Sequence, residues 1–227
     1  MHTTDFDKAL KAYEVVHPQS PFFETWVPRE KFLKADLDDA GNFLIGREDE
    51  GIYGIALGPS PAIPSDWKNF SMESCGIAAL PDEFKAVVEW DSYWAPTIEG
   101  QAVAAATSSD SEIDAFLKSH APDSSVFPGN DEIIQWVEVI SEGKLAAVAA
   151  LCRWESGRIV ISSVATHSEM RGRGLGKQLM EKCIIAGHQL GEKYLCLGVR
   201  HQNESAQRLY KGTGFRLMHN FTYCERR

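Results

Sequence analysis

The sequence predicts an α/β (α+β) fold, most clearly over its second half, and three observations carry that prediction. From about residue 101 onward, short apolar strand-like runs alternate with amphipathic helical stretches. Tight turns such as Ser141-Glu142-Gly143 join neighbouring runs, as antiparallel strands require. A loop with three glycines, Gly172, Gly174 and Gly176, leads from one such run into a helix.

In chain order, the first element is an amphipathic helix over 5–16, ended by His17-Pro18. A strand pair fits 42–57, turning at the acidic Glu48-Asp49-Glu50-Gly51. The proline-rich GPSPAIPSDW that follows reads as loop. Segment 83–100 ends in aromatic residues and a proline, so a boundary is expected there, with one region over 1–98 and a second over 99–227. Trp90, Tyr93 and Trp94 can wall a cleft, but such clusters more often pack one part of a protein on another. In the second region, 101–109 reads as a strand, and Asp110 or Ser111 as the cap of a helix carrying Ile113, Phe116 and Leu117. Strands are expected over 133–140, 144–154 and 158–166. A helix over 174–188 repeats Leu175, Leu179, Cys183 and Ala186. Strand 194–200, helix 203–212, a break at Gly214 and a last strand over 215–224 complete the order β-α-β-β-β-α-β-α-β.

Composition narrows the function classes. With 227 residues, 44% apolar and 24% charged, the chain is that of an ordinary globular protein, not a disordered tail or a disulfide-stapled miniprotein. MHTTDFDKALKAYEV lacks the apolar centre of a secretory signal. The longest apolar run, 145–152, falls far short of the roughly 20 residues that span a bilayer. Cys75, Cys152, Cys183, Cys196 and Cys224 form no CxxC pair, and read as reduced thiols. A cytoplasmic protein with no membrane partner is expected. The net charge of −9 is uneven: residues 1–98 hold 17 acidic against 8 basic residues, and 171–227 hold 11 basic against 4 acidic. An acidic chain is a poor nucleic-acid binder. Its basic end fits a smaller anion or a solvated face.

The segment 164–180 is the most informative. Glycines let backbone N–H groups approach an anion, and a helix start adds unpaired donors and partial positive charge. Arg171, Arg173 and Lys177 add fixed charge, so a pyrophosphate is well matched. Neither a GxxxxGK[ST] loop nor a GxGxxG fingerprint is present.

Arg171-Gly172-Arg173-Gly174-Leu175-Gly176 resembles the R/Q-x-x-G-x-G/A signature of the GCN5-related N-acetyltransferase (GNAT) family. The second half of that family's pattern is similar to Asn203-x-x-Ala206-x-x-Leu209-Tyr210, followed by Gly214-Phe215. The resemblance covers about 100–227. It implies a GNAT-type acyl-CoA N-acyltransferase fold, with a central, mixed, mostly antiparallel sheet flanked by helices. It also implies acetyl-CoA as cosubstrate with no metal, a primary amine as acceptor (small molecule or peptidyl lysine), and a homodimer as in many members. Val164, Ala165 and Thr166 would bind the pantetheine arm, a bulge at Ala165 opening the cleft. Residues Gly172, Arg173, Gly174, Leu175, Gly176 and Lys177, with Arg171, would hold the pyrophosphate, and Asn203 and Ala206 would line the arm. Tyr210 resembles the general acid that protonates the departing thiolate.

The base that deprotonates the amine is less marked. Glu138 is the first candidate, a carboxylate inside an apolar strand, with an exposed strand face as the equal alternative. His167 and His120 can relay a proton through water, past Ser162 or Ser163. Two further readings stay open: a non-catalytic acyl-CoA-binding module, and a scaffold with a vestigial site. Residues 1–98 can form a wall of the acceptor pocket or a diverged copy of the same fold, although no second phosphate loop stands there.

Overall fold

The computed structural model describes all 227 residues, which divide into two units. The first unit is Met1–Ser92 together with Gly198–Glu204 and Leu217–Arg227. It opens with β1 (His2–Thr3), α1 (Phe6–Val16) and the short α2 (Phe22–Trp26). Asp5 caps α1 by accepting from the Lys8 N–H, so the expected helix begins one residue later than its cap. Next come β2 (Phe32–Leu37), β3 (Phe43–Asp49), β4 (Gly51–Leu57), β5 (Asn69–Glu73) and β6 (Phe84–Pro96). The last strand of the chain, β11 (Arg216–Arg226), pairs antiparallel with β5, from Phe221↔Glu73 to Glu225↔Asn69. Strands β2, β3 and β4 form an antiparallel meander, and β5 then runs parallel to β4 in four registered pairs.

Alternation on these strands buries one apolar set with α1 and α2, namely Tyr13, Phe22, Phe23, Phe43, Ile45, Leu57 and Phe221. A second set gathers Trp67, Phe70, Met72, Phe84 and Cys224. Each fully buried ring or aliphatic chain stabilises the unit by about 1.5–3 kcal/mol. β1, α2, β2 and β5 had no clear sequence signal, and the proline-rich stretch is the loop that joins β4 to β5.

The second unit is Tyr93–Leu197 with Ser205–Arg216. Its elements are α3 (Asp110–His120), β7 (Ile133–Ser141), β8 (Lys144–Arg153), β9 (Ile159–Thr166), α4 (Leu175–Gln189), β10 (Tyr194–Arg200) and α5 (Glu204–Gly212). Their boundaries match the expected ones within two residues. Segment 101–109 departs from expectation: it is not a strand, although the Ala106 N–H donates to the Trp136 carbonyl at 3.0 Å. Its end is instead drawn into the cap of α3. Ser109, not Asp110 or Ser111, is the N-cap, and it forms a reciprocal capping box with Glu112.

β7 and β8 turn through Glu142 (φ 54°) and Gly143 (φ 75°), two left-handed residues whose twist suits a tight hairpin. β8 is buried along residues 146–152, and its alanines let α4 pack against β7, β8 and β9. The helix meets them with Leu179, Met180, Cys183, Ile184 and Ala186. β7, β8 and β9 again form an antiparallel meander, followed by β10 parallel to β9. No helix of the chain is long and apolar enough to cross a membrane.

Candidate active site

The strand β9 carries an irregularity that shapes the second unit. Ser162 pairs with Ala150 and Ala165 with Val148, so Ser163 and Val164 together stand opposite Ala149. This is a β-bulge, and Ser163 holds a left-handed φ of 49°. The expected bulge at Ala165 therefore falls one to two residues earlier. Ala165 itself is registered in the β8 ladder, whereas the buried Ser163 hydroxyl is fixed elsewhere: it donates to the Val126 carbonyl at 2.8 Å and accepts from the Val126 N–H at 3.1 Å.

On its other edge β9 runs parallel to β10, yet the register joins only Cys196 with Val160.

After Thr166 the chain passes a single 3-10 turn (Ser168–Met170) and enters the glycine loop. Gly172 and Gly174 have φ of 78° and 80°, and a Cβ on either would meet nothing within 4 Å. Glycine is needed at both for backbone conformation, not for packing. Gly176 is the opposite case: a Cβ there would lie 3.2 Å from Leu209 Cδ2 and 3.4 Å from Thr166 Oγ1. Its lack of a side chain lets the start of α4, the end of β9 and α5 come together. Leu175 opens α4, and its N-cap Gly174 supplies no side-chain acceptor. The first-turn amides and the positive end of the helix dipole are thus directed outward from the loop.

The three basic side chains are exposed and loosely held. Arg171 donates to the His120 carbonyl at 3.1 Å, Arg173 meets Glu142 at 3.2 Å, and Lys177 meets Glu181 at 3.8 Å. Exposed pairs of this kind are worth about 0–1 kcal/mol, so each cation can turn to a bound anion at small cost.

Tyr210 lies on α5, one residue beyond the Leu209 that packs at Gly176, and one turn beyond Ala206. Its ring is buried between Tyr93 and Phe215, with centroids at 6.1 and 6.0 Å. Burial, with the Cys183 thiol nearby, pushes the phenol well above its usual pKa. Asn203 falls in the segment assigned to the first unit, where its N–H donates to the Arg200 carbonyl.

Glu138 stands on β7, with β8 between it and β9. Its carboxylate accepts from the Thr107 N–H at 2.6 Å, the Thr107 hydroxyl at 2.7 Å and the Ser108 N–H at 3.2 Å. Burial acts against the charge, but these hydrogen bonds outweigh it and hold the pKa below the usual glutamate value. The arrangement braces the start of α3. His120 and His167, separated by 47 positions, are brought together with ring centroids 4.2 Å apart and Phe116 against both. Burial first, then the charges of His167 and Arg171, lower the His120 pKa.

Two groupings escaped the sequence reading. One is the tie from Ser163 to Val126, whose only sequence trace is a serine pair inside an apolar strand. The other lies in the first unit: Asp91, 2% exposed, faces His201 Nδ1 at 3.1 Å, and Asn220 joins both. No local spacing connects residues so far apart.

Residues 107–215 match the model of the acetyltransferase (GNAT) family. Among solved structures, a GNAT-family protein from Novosphingobium aromaticivorans is similar at 22% identity and TM-score 0.51, over 84% of this chain and 76% of that one. A GCN5-related N-acetyltransferase from Kribbella flavida is similar at 16% identity and TM-score 0.54, over 81% and 86%. A GNAT-family acetyltransferase from Colwellia psychrerythraea is similar at 13% identity and TM-score 0.53, over the whole of both chains. At these identities the likeness is one of fold. No curated protein matches the chain.

Proposed function

We propose, from the match of residues 107–215 to the acetyltransferase (GNAT) family model, that the chain is an acyltransferase and moves acetyl from acetyl-CoA to a primary amine by direct attack in a ternary complex. The observation that carries this reading is the continuity of three features: the bulge of β9, the left-handed glycine loop and the uncapped start of α4. Together they match a ligand that is an amide-rich arm ending in a diphosphate. Acetyl-CoA supplies the activated acyl group as a thioester.

Residues Val164, Ala165 and Thr166 would bond the arm through their backbone. Gly172, Gly174, Leu175 and Gly176 would present amides to the diphosphate, with Arg171, Arg173 and Lys177 as counter-charges. Ala206 and Asn203 would flank the arm. The Tyr210 phenol, kept neutral by burial, would give its proton to the departing thiolate sulfur. Burial pushes the Cys152 and Cys183 thiols up to about 12 and Cys224 to about 11, which makes these three poor covalent acceptors of the acyl group.

We place the acetyltransferase domain at 99–227 and read 1–98 as a diverged copy. In favour stands the shared run of an antiparallel meander followed by a parallel strand. In the first unit a proline-rich loop replaces the helix after the meander, and the parallel strands β4 and β5 are registered in four pairs. That copy has no cradle for a diphosphate.

Calorimetric titration with acetyl-CoA tests the reading, alongside the double variant Arg171→Glu, Gly174→Glu. Micromolar binding lost in the variant is expected. Tyr210→Phe should keep acetyl-CoA affinity and lose on the order of 100-fold in kcat. Absence of binding to the unsubstituted protein would overturn the proposal.

A further inference from the structure

We propose that Ser163 is a positioning residue: its hydroxyl sets the β9 bulge that presents the strand edge to the thioester and ties that bulge to segment 121–130. The inference rests on the acetyl-transfer reading above. Three left-handed non-glycine residues occur in the chain; Gln19 and Glu142 lie in turns, whereas Ser163 lies inside a strand. A left-handed residue within a strand is unfavourable for any side chain and persists only where its surroundings hold it. Glycine would adopt φ 49° without strain, so what serine adds is the hydroxyl.

That hydroxyl is fully engaged, donating to the Val126 carbonyl at 2.8 Å and accepting from the Val126 N–H at 3.1 Å. The adjacent Ser162 hydroxyl meets the Ser125 hydroxyl at 2.6 Å. Two successive residues of β9 thus grip two successive residues of one segment, at the point where β9 gains its extra residue against Ala149. A shift of the bulge would rotate the row of N–H and C=O groups at 164–166, while the diphosphate loop, which is built from other residues, would stay in place. Loss of the hydroxyl should therefore disturb the reacting end of the cosubstrate and spare its anchor.

The test uses the full-length protein and its Ser163→Gly and Ser163→Ala variants, with acetyl-CoA labelled with carbon-13 at the acetyl carbonyl. Three quantities are read: the Kd, the kcat with an accepted amine, and the infrared carbonyl frequency of the bound acetyl group. In the unsubstituted protein the carbonyl should shift from its solution frequency, as hydrogen bonding to it requires. Both variants should bind acetyl-CoA within about threefold of the parent, lose about tenfold or more in kcat and return the carbonyl toward its solution frequency. Ser163→Gly, which tolerates the backbone conformation, carries the test if Ser163→Ala fails to fold.

An unshifted carbonyl in the bound parent overturns the inference. So does a variant that keeps both the parent's frequency and its kcat within about twofold. Parallel losses of affinity, kcat and thermal midpoint would show a merely structural role and overturn it as well. Binding without transfer to any amine overturns the acetyl-transfer reading alone, since the carbonyl frequency still reads the role of Ser163. No binding by the parent overturns both.

Discussion

Single side chains in this protein decide local questions that the motif leaves open. In the first unit, His17 stacks on Tyr13 at 4.8 Å and meets His219 edge-on at 4.9 Å. Burial, then the charge of His219, lowers its pKa to about 4. A histidine held neutral in the fold binds its proton more readily when unfolded, so its contribution is present above pH 6.5 and is lost as pH falls toward 4. Glu73 adds to the same slope from below. Burial opposes its charge, but the hydrogen bond from His219 and the Gly58 N–H outweigh that and depress its pKa, so its contribution also fades on acidification. Urea midpoints at pH 7.5, 6 and 5 should therefore fall steadily, and His17→Phe should flatten the upper part of that fall. Glu138 poses the second question. As a brace with three hydrogen bonds, its change to Gln should cost about 1 kcal/mol of stability and leave the pH–rate profile in place. A loss of about 100-fold in kcat together with the acidic limb of the profile would make it the base instead.

Elements in this fold are set by close approach as much as by propensity. β4 reads as an ordinary strand, yet a Cβ on Gly54 would lie 2.1 Å from the Trp67 ring. The indole covers this stretch of strand and is held in turn by Phe70 at 5.8 Å. Gly54→Ala should therefore destabilise the first unit by about 3 kcal/mol, the range of an overpacked core, and lower its unfolding midpoint. The same reasoning separates the glycines of the loop before α4. Gly172 and Gly174 answer a backbone need, so alanine at Gly174 should weaken acetyl-CoA binding through strain and misplaced amides. Gly176 answers a packing need against Leu209 and Thr166, so alanine there should act on stability first. The motif was fully legible as a string, but which glycine serves which purpose was not, because φ and neighbouring atoms are not written in it.

At the scale of the molecule, sequence order and structural grouping differ. Residues 217–227 carry Phe221 and Cys224 into the core sets of the first unit, and β11 is registered with β5. Ending the chain after Arg216 should abolish the cooperative unfolding of that unit and expose residues 1–92 to limited proteolysis, because its aromatic core would lose a wall. The periodic strands and helices of the second unit and the glycine loop could be read from the chain alone. Each depends on spacing over a few residues, which local backbone geometry converts directly into a face, a turn or a helix start. The bulge at Ser163, the tie to Val126, the engagement of Glu138, the pairing of His120 with His167 and the dyad of Asp91 with His201 were decided only by the tertiary structure. They join residues tens to more than a hundred positions apart, and such pairings arise from register and packing between strands, for which no local pattern exists.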